Sequence, residues 1–340
     1  MSDYITLHVT GNSLTPFTGE DGENVSLSEL SREIKEGTDK ARKGEPTNPL
    51  MLKLKKLLER GQLDVPLHNN VGWFLYFRIK NSQHSNFVIQ KKDLATYLKL
   101  QVSKPSLLHS LILHEAVRMK RQKPNAFKFF NCLTLWGLEN LRSEDWQLFE
   151  GEDTGKSTSL VEKIISCYAK ELTQLKIEAT SEMADLTDKA MKTFPENGNL
   201  LLYKSEICKS LGNKEEALAH LKSLLLRQPS KSLFWRKTAE LIGKHDLKIA
   251  CLCKAISLQE DEEFLGDTRL KLARLLLRKK LPQFALFELQ KYHRLYMSKK
   301  WALSKEYDEL RNRINPEVKA EDDQKIYSHY MPIADDFLNR

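Results

Sequence analysis

Apolar residues recur along most of this chain at spacings of three and four, the period that buries one face of an α-helix. Leu27, Leu30 and Ile34 form such a stripe; Ser26 stands as its N-cap, Glu29 completes a capping box, and Val25 is placed to staple onto Leu30. Gly37 is expected to end that helix, and residues 37–49 read as a polar linker. Leu54, Leu57 and Leu58 make the next face, stopped at Gly61. The run from Val71 to Phe77 is apolar nearly all round and predicts a buried helix. Leu94, Tyr97 and Leu98 resume the pattern. Pro105 is placed to open a helix through Leu108, Leu111, Ile112 and Ala116, and Pro124 another through Phe127, Phe130, Leu133 and Trp136. Residues 150–159 form a polar loop, and helical spacing returns from Leu160 to Phe194. Ahead of residue 25, Gly11, Pro16, Gly19 and Gly22 leave only Tyr4–Val9 as a short candidate strand.

Beyond Phe194 a longer period appears. Ser205, Ala239 and Ala273 are spaced by 34 residues, and Ala217, Cys251 and Ala285 repeat that spacing twelve residues behind. Phe194-Pro195 and Gln228-Pro229 are also 34 apart, each closing a unit. A helix–turn–helix unit that repeats has this layout, because two helices approach closely only where small residues meet. Gly212 falls in the turn of the best unit; Ala190 and Pro195 end a preceding unit whose first half is degenerate. Glu263 stands where the second unit would carry its proline.

This pattern resembles the tetratricopeptide repeat (TPR). The resemblance covers roughly residues 175–295 and implies an all-α solenoid of TPR-like helix–turn–helix repeats. It divides the chain into an irregular segment and linker (1–50), degenerate basic helical repeats (51–150), TPR-like repeats (151–315) and a C-terminal helical cap (316–340). Within the cap, Tyr327 to Leu338 is expected to pack on the final repeat, with Pro332 in the first turn of a short helix. The resemblance further implies that a groove of first-helix faces binds a protein segment. Its positions in the best unit are Leu202, Glu206 and Lys209, followed in the next two units by Arg236, Glu240 and Arg274. The stretch Glu263-Phe264-Leu265-Gly266-Asp267 with Arg269-Leu270-Lys271-Leu272-Ala273 looks like a segment of bacterial repeat proteins that carry an S1-type RNA-binding module and belong to conflict or defence systems. Residues after the repeats run only to Arg340, so no such module is expected here.

Composition agrees with a helix-rich protein: 41% of residues are hydrophobic, 29% are charged, and only 14 of 340 are glycine. Neither a membrane-spanning run nor a signal-peptide pattern stands out, so a cytoplasmic location is expected. Cys132, Cys167, Cys208, Cys251 and Cys253 form no CxxC pair and read as buried thiols, with neither disulfide nor zinc site. The net charge is +8, and residues 51–130 alone hold fifteen Lys/Arg against four Asp/Glu. That block suits a phosphate backbone, an acidic protein or a solvated helix face. Its densest cluster, Arg118, Lys120, Arg121, Lys123 and Lys128, lies beside Phe127, Phe129 and Phe130, which suits single-stranded nucleic acid. The bland alternative is that the aromatics are core and the charges solvated.

The strings that look catalytic fail on inspection. Glu150-Gly151-Glu152-Asp153-Thr154-Gly155-Lys156-Ser157 approaches a phosphate-binding loop, but Glu150 replaces the first glycine and two acids stand where phosphate would sit. His114-Glu115 begins a zinc-protease string whose second histidine position is Arg118. The sequence therefore reads as a non-enzymatic scaffold without cofactor or metal, its partner a protein. A nucleic-acid component using the basic block is the alternative.

Overall fold

The first surprise lies at Gly37, which does not stop its helix. In the computed structural model, which describes residues 27–82, 87–125, 127–148, 158–175, 177–322 and 324–339, helix α1 runs from Leu27 to Arg42 straight through it. A Cβ at position 37 would stand 2.2 Å from Leu50 Cδ2 and 3.4 Å from Phe74, so the glycine admits neighbours. The stop comes seven residues later. Gly44 takes φ 77°, and the Glu45 and Gly44 amides donate to the Lys40 and Ala41 carbonyls at 2.9 and 3.1 Å, a Schellman closure. The candidate strand at Tyr4–Val9, the Val25 staple, the Ser26 cap and the loop from Glu150 to Ser157 lie outside the described residues.

The chain divides into two compact units between Ser103 and Lys104. In the first, α1 packs mainly on α3 (Val65–Asn81), with α2 (Asn48–Glu59) and α4 (Phe87–Tyr97) beside them. Ile34, Leu54, Val71, Phe74, Leu75, Ile79 and Tyr97 are buried there, so the 71–77 run is the buried helix its pattern predicts. Arg78 in that core donates to Asp93 at 2.9 Å and to Thr47 at 2.5 Å.

The second unit opens with α5 (Leu107–Gln122), capped by Ser106, whose side chain accepts from the His109 amide; Pro105 precedes the cap. Helix α6 begins only at Phe129 and ends at Trp136, five residues later than Pro124 suggests. Helices α7 (Leu160–Leu175) and α8 (Ser181–Thr193) lead into three hairpins. These are α9 (Gly198–Ser210) with α10 (Lys214–Arg227), α11 (Ser232–Leu241) with α12 (His245–Ser257), and α13 (Gly266–Arg278) with α14 (Pro282–Ser298). The two helices of each hairpin pack closely on each other, and α10 on α11 and α12 on α13 join successive hairpins, which is the organisation of an all-α, TPR-like solenoid.

The 34-residue series marks the hairpin contacts. Ser205 Oγ donates to the Ala217 carbonyl at 2.9 Å, joining the two small positions of the first hairpin. Ala239, Cys251, Ala273 and Ala285 are all buried at the corresponding crossings. Gly212 turns the first hairpin with φ 85°, and Lys280 turns the third with φ 59°.

Helix α15 (Lys305–Asn312) follows the third hairpin, and α16 (Gln324–Asn339) departs from expectation. Helix α16 lies chiefly on α12, with a lesser contact to α10, rather than on the final hairpin. Pro332 sits in its middle, not its first turn. Tyr327, near the start of α16, donates to Glu288 at 2.8 Å; Glu288 also accepts from Arg269 at 2.7 Å, so α13, α14 and α16 share one buried polar cluster.

Candidate functional site

Three helices that begin hairpins, α9, α11 and α13, line up so that residues 31 positions apart, three short of one repeat, meet across their faces. Lys209 donates to Glu240 at 2.6 Å, Lys271 donates to the same carboxylate at 3.1 Å, and Lys237 pairs with Glu206 at 2.9 Å. Arg274 continues the ladder to Glu306 on α15. A cleft of about 330 Å³ opens along it, lined by Lys209, Arg236, Glu240, Lys248, Lys271, Arg274 and Arg278 over an apolar floor of Ala239, Leu252 and Leu275.

Charge in this cleft is unbalanced. With Lys237 the cations number seven, against Glu206, Glu240 and Glu306. Arg236, Lys248 and Arg278 have no carboxylate partner among the described residues. Arg236 donates through Nη1 to the Phe264 carbonyl at 3.2 Å, while its buried Nε has no hydrogen-bond partner. Burial works against ionisation of Glu240, but the Lys209 hydrogen bond and the charges of Lys237, Lys271 and Lys209 outweigh it and hold the carboxyl at about 2. Lys209 is correspondingly raised: burial opposes its charge, and the Glu240 hydrogen bond and charge win. Glu240 and Lys209 thus stay ionised through the neutral range, and with cations in excess what the cleft can do chemically is hold anions.

Four of the six groove residues read from the sequence, Lys209, Arg236, Glu240 and Arg274, come together here. Glu206 flanks the cleft, buried and bonded to Lys237; Leu202 instead packs on the margin of the core. Lys237, Lys248, Lys271 and Arg278 were not singled out. Lys271 and Arg278 were legible as the i−3 and i+4 neighbours of Arg274, whereas Lys248 belongs to α12, a second helix, and lay outside a reading confined to first-helix faces.

The basic 51–130 block behaves differently. It is shared between the two compact units, and several of its charges are occupied: Lys53 bonds Glu33 at 2.7 Å, and Arg78 is buried on Asp93. Lys120 is corrected from surface contact to core. It is buried, donates to the Phe127 carbonyl at 3.1 Å and pairs with the fully buried Glu171, which also accepts from the Phe129 and Phe130 amides at 2.8 and 2.7 Å. Phe129 is buried too, while Arg121, Lys123 and Lys128 are exposed and Arg118 bonds Glu115 at 2.7 Å. The aromatics adjoining this cluster serve the α6 core more than a stacking platform. His114, the other false motif, is lowered to about 4, first by burial and then by Lys163. A larger cleft of about 820 Å³ lies between the start of α10, the α11–α12 turn and the end of α16. Leu218, Leu241, Ile333 and Phe337 give it an apolar lining with charges of both signs, and it contains none of the groove residues.

Residues 200–334 match the family model of a domain of unknown function, DUF7017. That span contains the whole basic cleft. No curated protein matches the chain. Among solved structures, a MamA RS-1 ArsTM double mutant is similar at 14% identity and a TM-score of 0.39, over 56% of this chain and 96% of its own. A likeness of that size carries no inference about surface or partner. No helix among the described residues is long and apolar enough to cross a membrane.

Proposed function

We propose that this chain is a non-enzymatic helical-repeat scaffold that binds an acidic, extended protein segment in the cleft along α9, α11 and α13. The observation that carries this reading is the charge imbalance: seven cations facing three carboxylates, three of the cations without a carboxylate partner among the described residues. Glu240 spaces the cations, so carboxylates of a bound segment find donors on either side of it. The apolar floor of Ala239, Leu252 and Leu275 supplies area for an apolar side chain between two acids.

Fluorescence anisotropy on the full chain tests this with three labelled probes: a peptide rich in Asp and Glu around one leucine, its Lys-substituted counterpart, and a single-stranded oligonucleotide. The acidic peptide is expected to bind, weakening as salt rises, with Lys248→Glu plus Arg278→Glu reducing affinity tenfold or more. Equal binding of both peptides, or indifference to the double reversal, overturns the proposal. Preferred binding of the oligonucleotide, resistant to that reversal and lost on reversing Arg121, Lys123 and Lys128, transfers the function to nucleic acid. From the resemblance of residues 263–273 we carry over a role in a bacterial conflict or defence system. Unchanged phage plating efficiency on cells lacking the chain would remove it.

A further inference from the structure

Outside the cleft, one group of side chains has no part in the binding reading. Cys208 on α9, and Glu216 and His220 on α10, bring a thiol, a carboxylate oxygen and an imidazole nitrogen all within 4.8 Å of one another. Glu216 and His220 are four apart and so share one face of α10, with Nε2 of His220 3.6 Å from Oε1 of Glu216. Cys208 enters from the other side of the Gly212 turn and is 1% exposed. His220 Nε2 is buried and makes no hydrogen bond, an orphan nitrogen directed at two potential anionic ligands.

We propose that Cys208, Glu216 and His220 form a binding site for a thiophilic divalent cation, zinc by the softness of its donors, which clips α9 to α10. One sulfur, one nitrogen and one oxygen match three corners of a tetrahedral zinc site, water completing the fourth, whereas magnesium and calcium select all-oxygen sets. Metal–ligand distances of about 2.0–2.3 Å place neighbouring donors about 3.3–3.8 Å apart. The three donors therefore need only small side-chain rotations to close on an ion. On binding, the Cys208 S–H bond breaks, its electron pair forms the sulfur–metal bond and its proton leaves to the buffer. Glu216, solvent-exposed, marks the side from which an ion arrives.

Two further charges face the group. Lys204 Nζ lies 3.8 Å from Glu216 but 2.7 Å from Asp188 on α8. Its tighter partner therefore retains it when Glu216 turns to a metal. Burial, then hydrogen bonding to Glu216, raises the thiol to about 12, with Lys204 opposing.

Cobalt(II) titration of the purified full chain is the test, because thiolate–cobalt bonds absorb in the near ultraviolet and tetrahedral cobalt has its own visible bands. The expected result is one equivalent bound with both signatures, bleached by stoichiometric zinc. Cys208→Ser should abolish the thiolate band, Cys251→Ser should leave it, and His220→Gln should weaken cobalt binding at least tenfold. Absence of a thiolate band, or its survival in Cys208→Ser, overturns the site. Should Cys208→Ser not fold, the His220→Gln affinity decides alone: His220 is half-buried and its replacement is tolerated by the helix, so an unchanged affinity refutes the proposal.

Discussion

Position 280 holds a lysine where Gly212 stands two repeats earlier, and both residues occupy the left-handed region that turns their hairpins. The geometry is the same Schellman closure. The Asn213 and Gly212 amides donate to the Cys208 and Lys209 carbonyls at 2.9 and 3.2 Å, and the Leu281 and Lys280 amides to the Leu276 and Leu277 carbonyls at 3.0 and 3.1 Å. A side chain in this region costs about 1–2 kcal/mol, offset in part because glycine frees the unfolded chain by roughly 0.5–1 kcal/mol. Lys280→Gly is therefore expected to stabilise by up to about 1 kcal/mol and Gly212→Ala to destabilise by about 1 kcal/mol, read from urea midpoints; loss of stability in Lys280→Gly would contradict the strain argument. A second residue-scale prediction concerns His109, stacked on Trp136 with its Nε2 3.0 Å from the Trp136 carbonyl. Burial, against the Trp136 hydrogen bond, lowers it to about 4 from an ordinary 6.5. The unfolded chain then binds the proton more readily than the native one. Its stabilising neutrality is complete above pH 6.5 and is lost as pH falls toward 4, by about 3 kcal/mol. His109→Phe should flatten the stability-versus-pH curve in that window, and an unchanged slope would assign it to other groups.

Among the elements, what was legible followed small residues. Ser205, Ala217, Ala239, Cys251, Ala273 and Ala285 fixed three hairpins in advance because close helix crossings admit little else. Where the register is filled otherwise, the pattern went silent although the helix is there. One repeat before Ser205 the position is Glu171, and one repeat after Ala273 it is Tyr307. Glu171 turns to the α5–α6 connection, taking Lys120 and two α6 amides, and Tyr307 stacks at 5.4 Å on Tyr292. Glycine misled in the opposite direction: Gly37 serves a contact and Gly44 the stop, a distinction that depends on Leu50 and Phe74 in space. The Glu171 knot carries its own prediction. Removing one partner of a buried ion pair leaves an uncompensated charge, so Glu171→Ala should cost about 3–5 kcal/mol. Lys120→Met combined with Glu171→Gln should recover part of that loss. A cost below about 1 kcal/mol for Glu171→Ala would mean that Lys120 escapes to water.

At the scale of the molecule, the site was half legible. Charges one repeat apart on first helices can be lined up by counting 34, but Lys248 enters the cleft from α12 and required the packed hairpin. The placement of α16 was not legible at all, because its partners lie some eighty residues back: Lys254 pairs with Asp335 at 2.9 Å, and Tyr330 donates to Asp246 at 3.3 Å. A repeat array coupled only through neighbours unfolds piecemeal. Here α16 adds a second connection, joining α12 through Tyr330 and the buried Ala334, and the α13–α14 hairpin through Tyr327 and Glu288. The array should then open as a larger cooperative block than its hairpins would alone. Ala334→Asp, which forces a carboxylate into that contact, is expected to undock α16 at a cost of about 3 kcal/mol. Hydrogen exchange provides the readout: amides of α12, α13 and α14 should lose protection together with those of α16. If protection falls in α16 alone, the helix is a passenger on α12, and cooperativity in the repeats stops at the nearest hairpin.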